Sequence, residues 1–292
     1  MSLVSCALMG GLGNQLFQIF TTIAYGIKTK RKILFPYTET LEVGISRNTY
    51  WNSFLSPIKI MTNQNTNISN EQLSSLVQCR ENGHHYQEIP TDIPYSSFSL
   101  FGYFQSPRYF DEEKKTIFSL IKLQESKQRV FFEYNDLLSN NYISISLHFR
   151  IGDYKANQQS HPIMTYDYYD RALMYMLLHC KIIRPVRVLY FCEKDDNDIV
   201  LKMIEKLSVK YYGFNFVKVD DEIEDWKQML IMSNCQHNII ANSSFSWWGA
   251  YFNNSSDKIV YYPSTWFGPA LADKETRDMF PVGNQWIRDI LP

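Results

Sequence analysis

Three short segments of this chain carry residue types that can hold an anion. The first is Gly10-Gly11-Leu12-Gly13-Asn14-Gln15. Glycines let a backbone approach a ligand closely, and a helix that follows offers free amides and the positive end of its dipole. The segment is neither GxGxxG nor a Walker A loop, because no Gly-Lys-Ser/Thr follows. A tight turn with a capping Asn explains it equally well, and an exposed Asn14-Gln15 pair favours a functional role. The second is His148-Phe149-Arg150-Ile151-Gly152-Asp153. Arg150 can grip a phosphate with two parallel N–H bonds. The plainer reading is an Arg150–Asp153 ion pair that braces a loop. The third is Asn242-Ser243-Ser244-Phe245-Ser246-Trp247-Trp248. Hydroxyls at a helix N-terminus make an anion cradle. One serine suffices for a cap, so three serines and an asparagine exceed that need. The two tryptophans read as core packing.

The elements around these segments alternate between strand and helix. Leu3–Leu8 reads as a buried strand. Apolar residues Leu16, Ile19, Phe20, Ile23 and Ile27 then recur at helical spacing from Asn14 onward. Lys32–Phe35 reads as a short strand, and the Asn- and Ser-rich stretch 62–72 as an exposed loop. Ser97–Phe104 reads as a strand, Pro107–Leu120 and Ser126–Leu138 as helices, and Ser139-Asn140-Asn141 as a linker. Strands follow at Tyr142–His148, Arg187–Cys192, Asn215–Val219, Asn238–Ala241 and Lys258–Tyr262. Helices separate them at Tyr166–His179, Asp196–Leu207, Glu224–Met232 and from Ser243 or Ser244 onward. A last helix is expected at Asn284–Leu291, packing back on the first half. This alternation calls for parallel sheets covered on both faces. The fold class expected is α/β with two Rossmann-like domains, residues 1–140 and 141–292, and ligands at the carboxyl ends of their strands.

Composition narrows the function classes. Of 292 residues, 45% are hydrophobic and 20% charged, with a net charge of −1, which is a globular composition. Neither half is basic, so a nucleic-acid surface is excluded and any phosphate binding is local. No apolar run reaches the ~20 residues of a membrane span, and Leu3–Leu8 lacks the basic flank of a signal peptide. Five scattered cysteines without a CxxC pair read as reduced thiols in the cytoplasm. Asp196-Asn197-Asp198 has the look of a DxD metal site, but its place at a helix start favours capping. His84-His85 has no metal-ligand partner at suitable spacing. No metal site is expected.

Two phosphate cradles and an arginine on two Rossmann-like halves describe a site for a nucleotide diphosphate. Here the chain resembles the α-1,2-fucosyltransferase family, glycosyltransferase family 11. The resemblance rests on GGLGNQLF at Gly10–Phe17, HFRIGDY at His148–Tyr154, HNIIANSSFSWWGAY at His237–Tyr251, and Tyr262-Pro263-Ser264-Thr265-Trp266-Phe267. It implies a GT-B fold, with domains facing across a cleft. It also implies metal-independent, inverting transfer of L-fucose from GDP-fucose to a glycan acceptor ending in galactose. The acceptor would lie on the first domain and the donor on the second. Arg150 would occupy the essential arginine position, with His148 and Asp153 beside it as further catalytic candidates. Gly11, Asn14, Gln15, Gln228, Asn242, Ser243, Ser244, Phe245 and Ser246 would contact the donor. Two departures stand out. Ile151 replaces the second arginine of the HxRRxD pattern. Gln228 stands where an acidic residue is usual, with Asp225 one helical turn away. The second departure leaves room for another nucleotide sugar such as GDP-mannose, and an inactive binding relative is the remaining alternative.

Overall fold

The computed structural model describes residues 2–42, 45–83 and 85–290. It divides into two compact units, Met1–Ser126 with Asp273–Pro281, and Lys127–Ala272 with Val282–Pro292.

The first unit contains strands β1 (Leu3–Cys6), β2 (Lys32–Ile33), β3 (Thr40–Leu41), β4 (Arg47–Asn48), β5 (Gln78–Arg80) and β6 (Ser97–Phe101). Its helices are α1 (Leu12–Thr29), α2 (Asn70–Ser74) and α3 (Lys114–Leu120). The main sheet runs β2-β1-β6-β5, all parallel. β1 is buried along its length, as a central parallel strand must be when both faces are covered. The turn from β1 into α1 passes through Gly10 at φ +75°, a backbone state that a side chain opposes. α1 buries Leu16, Ile19, Phe20 and Ile23 completely, and Phe20 meets Phe110 edge-on at 5.6 Å.

The second unit contains β7 (Ile143–His148), β8 (Val186–Phe191), β9 (Phe214–Lys218), β10 (His237–Ile239), β11 (Val260–Tyr262) and β12 (Trp286–Arg288). Its helices are α4 (Leu123–Glu133), whose first turn holds the unit boundary, α5 (Asn135–Leu138), α6 (Tyr166–His179), α7 (Asn197–Lys210), α8 (Asp225–Asn234) and α9 (Ser244–Phe252). The sheet order is β12-β11-β10-β7-β8-β9, all parallel. Counted from β7, this is the doubly wound order, and the chain reverses direction between β7 and β10. Ligands in such sheets sit at the carboxyl ends of the strands at that reversal.

Several expectations change. The linker at 139–141 lies inside the second unit, because α4 is tied to it. Buried Lys127 Nζ donates to the Phe252 carbonyl at 2.7 Å and to Asn254 Oδ1 at 3.1 Å. Lys227 pairs with Glu133 at 2.9 Å. The returning segment of the first unit is 273–281, not a terminal helix. Residues 286–288 instead extend the second sheet as β12, since β11 offers an edge to pair with and Trp286 packs 5.8 Å from Trp247. Leu291, the end of the expected helix, lies outside the described residues, as does His84. The 62–72 stretch is ordered by polar bonds rather than by an apolar face. Buried Asn63 bonds Tyr37 N, the Ile68 carbonyl and Asn70 Oδ1, and Ser69 with Gln72 forms a capping box on α2. The helix expected from Pro107 opens as two short 3₁₀ turns, and α3 starts only at Lys114, because Phe110 is at φ −142° between them. Of the strand expected at Lys32–Phe35, only Lys32–Ile33 forms.

Candidate active site

The second and third sequence segments leave β7 and β10, the strands that flank the reversal. The apolar residues between the polar ones anchor the first of these. Phe149 and Ile151 are buried in the second unit's core, and Phe149 lies 4.2 Å from Tyr169. Arg150, between them, is thereby turned away from the core. Ile151 thus fills a packed position, where a second arginine would bring an unpaired charge into the core.

Arg150 is forked between two carboxylates. One guanidinium nitrogen pairs with Asp153 and another with Glu193. The guanidinium also lies 4.8 Å over the Tyr154 ring. Burial works against its charge, but Glu193 and Asp153 outweigh that and hold its pKa above the ordinary value. The ion pair that braces the loop is thus present, and it is made by the arginine that the sequence offered for a phosphate. Gly152 sits at φ +25°, a backbone state that a side chain opposes, and a Cβ there would have to displace the end of the Glu193 side chain, 2.4 Å away.

Glu193 escaped the sequence reading because it lies 43 residues from Arg150 along the chain. The available signal was topological: it follows β8, the strand hydrogen-bonded to β7. Asp196 differs from expectation. It is fully buried and makes no side-chain cap on α7. It accepts the Gly152 N–H at 2.7 Å and pairs with Lys155 at 2.6 Å, so it holds the Arg150 loop. Asn197 bonds Asp221 Oδ2 at 2.7 Å. Among the described residues no group of three or more His, Cys, Asp or Glu is set to hold a metal.

His148 is buried at the end of β7, its ring 5.6 Å from Phe245, and its Nδ1 has no partner among the described residues. Burial, with Arg150 nearby, pushes its pKa down to about 3. Between there and about 6.5, the value of a free imidazole, the unfolded chain binds a proton that the folded chain refuses. Stability therefore rises with pH across this window and is lost on acidification. His148→Gln is expected to move the acid-unfolding midpoint, followed by circular dichroism, to lower pH. An unchanged midpoint would show that His148 carries no buried-charge penalty.

The third segment is partly spent on its own fold. Asn242 is buried and donates to the carbonyls of Pro162 at 2.9 Å and Trp266 at 3.1 Å. Its Oδ1 is buried without a partner among the described residues. Ser243 caps α9 by accepting the Phe245 N–H at 3.3 Å, and buried Ser246 donates to the Ser243 carbonyl at 3.4 Å. Ser244 and Phe245 keep partial exposure. The far end of α9 is held by two buried ammonium groups: Lys127 on the Phe252 carbonyl, and Lys258 on those of Ala250 at 2.9 Å and Asn253 at 2.6 Å. Cations there match the helix dipole. The Tyr154 hydroxyl donates to the Asn242 carbonyl at 3.1 Å, which joins the Arg150 loop to the start of α9. Gln228 is occupied locally, its amide donating to the Ile223 carbonyl at 2.8 Å. Asp225 accepts from the Trp226 N–H.

In the first unit the expected exposed pair separates. Gln15 is fully buried and donates to the carbonyls of Gly10 and Asn48, both at 2.9 Å. It is a brace of the glycine turn, because its position on α1 faces the β4 side of the unit. Asn14 is partly exposed and accepts from Gln105 Nε2 at 2.8 Å. Gly11 is partly exposed, with open space where a Cβ would stand.

Two parallel α/β units, one with a doubly wound sheet and an arginine and a helix N-terminus at its reversal, define the class of the GT-B glycosyltransferases. Solved structures support this fold. A mutant of Arabidopsis thaliana FUT1 in complex with GDP superposes with a TM-score of 0.52 at 13% identity, covering 96% of this chain and 74% of that one. POFUT1 in complex with GDP-fucose also gives 0.52 at 11% identity, covering 89% of this chain and 97% of that one. The chain belongs to glycosyl transferase family 11, whose model matches residues 3–280. Among its relatives, the alpha-1,2-colitosyltransferase of Escherichia coli is 28% identical over 306 aligned residues, 99% of each chain. The O-antigen biosynthesis glycosyltransferase WbnK of Escherichia coli is 31% identical over 192 residues, 63% of this chain and 60% of that protein. The match thus spans about three fifths of WbnK.

Proposed function

We propose that the chain transfers L-fucose from GDP-fucose to a galactose hydroxyl of a glycan, in α-1,2 linkage with inversion. The observation that carries this is the convergence of Arg150 and the N-terminus of α9 at the sheet reversal, joined through Tyr154 and Asn242. The acceptor oxygen attacks the anomeric carbon as the bond to the diphosphate breaks, through an oxocarbenium-like transition state of the kind glycosidic cleavage uses. Negative charge moves onto the departing GDP. In this reading Arg150 and the α9 amides would stabilise it, in place of a divalent metal. The acceptor proton must pass to a general base; Asp153 serves either as that base or as the partner that holds Arg150, two roles that the Asp153→Asn variant separates. The donor would rest on the second unit and the acceptor on the first. Five free thiols among the described residues accord with a reducing compartment, and the cytoplasm is part of this proposal. No helix among the described residues is long and apolar enough to cross a membrane.

A second donor has support in the colitosyltransferase, which aligns over nearly the whole chain. Colitose is fucose without its 3-hydroxyl, so one site can be asked to choose. The test is a panel of GDP-fucose, GDP-colitose and GDP-mannose with simple galactosides, run with and without EDTA. Transfer from GDP-fucose that persists in EDTA is expected. Transfer from GDP-mannose alone, or from none, would overturn the proposal.

Glu193 enters this reading as a rival of the donor. Both arms of the Arg150 fork are taken, so a diphosphate must displace one carboxylate, and Glu193 is half-exposed. Glu193→Gln is therefore expected to bind GDP more tightly, by ~1 kcal/mol, the worth of one partly exposed ion pair. Calorimetry at low salt measures this. Weaker binding would mean that Glu193 aims Arg150 instead.

A further inference from the structure

Three segments leave the carboxyl ends of adjacent strands in the first unit. The glycine turn follows β1, residues 102–106 follow β6, and Glu81 follows β5. Side chains lace them together. Gln18 accepts the Met9 N–H at 2.9 Å and donates to the Gly102 carbonyl at 3.2 Å. Gln105 donates to Asn14 at 2.8 Å. Glu81 Oε2 accepts the N–H groups of Tyr103 at 2.8 Å and Phe104 at 3.0 Å.

The segment they hold is strained. Phe104 sits at φ +49°, a left-handed state that an aromatic residue rarely adopts. Such strain persists where the surroundings over-determine it, and it gathers at ligand sites. Here the braces are visible. The Phe104 ring is buried and packs edge-on against Tyr109 at 5.3 Å. Its carbonyl accepts the Ser106 N–H at 2.7 Å, and Ser106 Oγ donates to the Asp278 carbonyl of the returning segment at 2.6 Å. With Phe104 turned in, its neighbours are left at the surface: Tyr103 is exposed and Gln105 partly so.

We propose that Tyr103 and Gln105, whose carboxamide is held by Asn14, form a subsite for a neutral hexose of the acceptor glycan. An aromatic face covers the apolar face of a pyranose, and carboxamides both donate to and accept from hydroxyls. Glu81 accepts the Tyr103 and Phe104 N–H groups from beneath the loop, so neither amide is open to a phosphate or an acidic sugar. Burial raises the pKa of Glu81 despite its two backbone N–H bonds and Lys274 nearby. The subsite deepens the transferase reading and rests on it.

The test uses lactose as the probe in saturation-transfer NMR with GDP present, alongside calorimetry of GDP. Wild type is expected to saturate the lactose protons. Tyr103→Ala is expected to weaken lactose binding about tenfold, within the range of an aromatic contact, with GDP affinity unchanged. Tyr103→Phe is expected to restore it, since the ring and not the hydroxyl does the stacking. No saturation of lactose by wild type, equal lactose affinity in Tyr103→Ala, or a parallel fall in GDP affinity each overturns the subsite. A wild-type chain that binds no GDP overturns the transferase reading itself, which separates the two failures.

Discussion

Arg150→Ala is expected to reduce turnover by about 10²–10³-fold, the usual worth of a preorganised group aimed at developing charge. GDP affinity is expected to fall with it by ~1.5–3 kcal/mol, the range for a hydrogen bond to a charged group. The larger loss falls on turnover because the leaving diphosphate carries more charge in the transition state than in the bound donor. Arg150→Lys is expected to recover little, since a lysine presents a point charge where the site has a fork. Stability should change little, because Asp153 and Glu193 are both partly exposed and water can take the place of the lost partner. Calorimetry with GDP and single-turnover rates measure the two effects. Equal affinity and equal turnover in the mutant would remove Arg150 from the donor site.

Asp153→Asn is expected to reduce turnover by ~10²–10⁴-fold if Asp153 takes the acceptor proton, and the accompanying GDP affinity decides its role. A general base acts only in the chemical step, so its loss leaves GDP binding intact. A partner of Arg150 holds the fork in place, so its loss weakens GDP binding too. The ion pair between Asp153 and Arg150 favours the second, and both turnover and GDP affinity are expected to fall. In that case the acid limb of the pH–rate profile keeps its position. Collapsed turnover with unaltered GDP affinity would refute this and make Asp153 the base.

Glu193 and Gln15 show where reading along the chain stops. Arg150 and Asp153 are three residues apart on one loop, so their pairing was legible. Glu193 reaches the same arginine from another strand, and only the β7–β8 pairing brings it there. Gln15 looked like an exposed ligand group because its neighbours are glycine and asparagine, yet it is buried by β4 and the turn. The three serines looked like an excess over capping. Ser243 and Ser246 are nonetheless consumed by the cap and the first turn of α9, while Ser244 keeps partial exposure.

By itself the sequence determined the alternation of buried strands and amphipathic helices, the parallel sheets, the family, and the places where polar residues leave strand ends. All of these are recorded in short-range patterns, because burial on both faces of a strand or one face of a helix leaves a period in the residues themselves. The tertiary structure decided which helices belong to which unit, that the last segment pairs as β12 rather than coiling as a helix, that Asp196 holds the Arg150 loop instead of capping α7, and that Arg150 is shared between two carboxylates. Each of these rests on a hydrogen bond, an ion pair or a strand edge supplied by residues far away in the chain. Such a partner leaves no period in the local sequence, and its effect exists only once the sheet order has brought the two segments together.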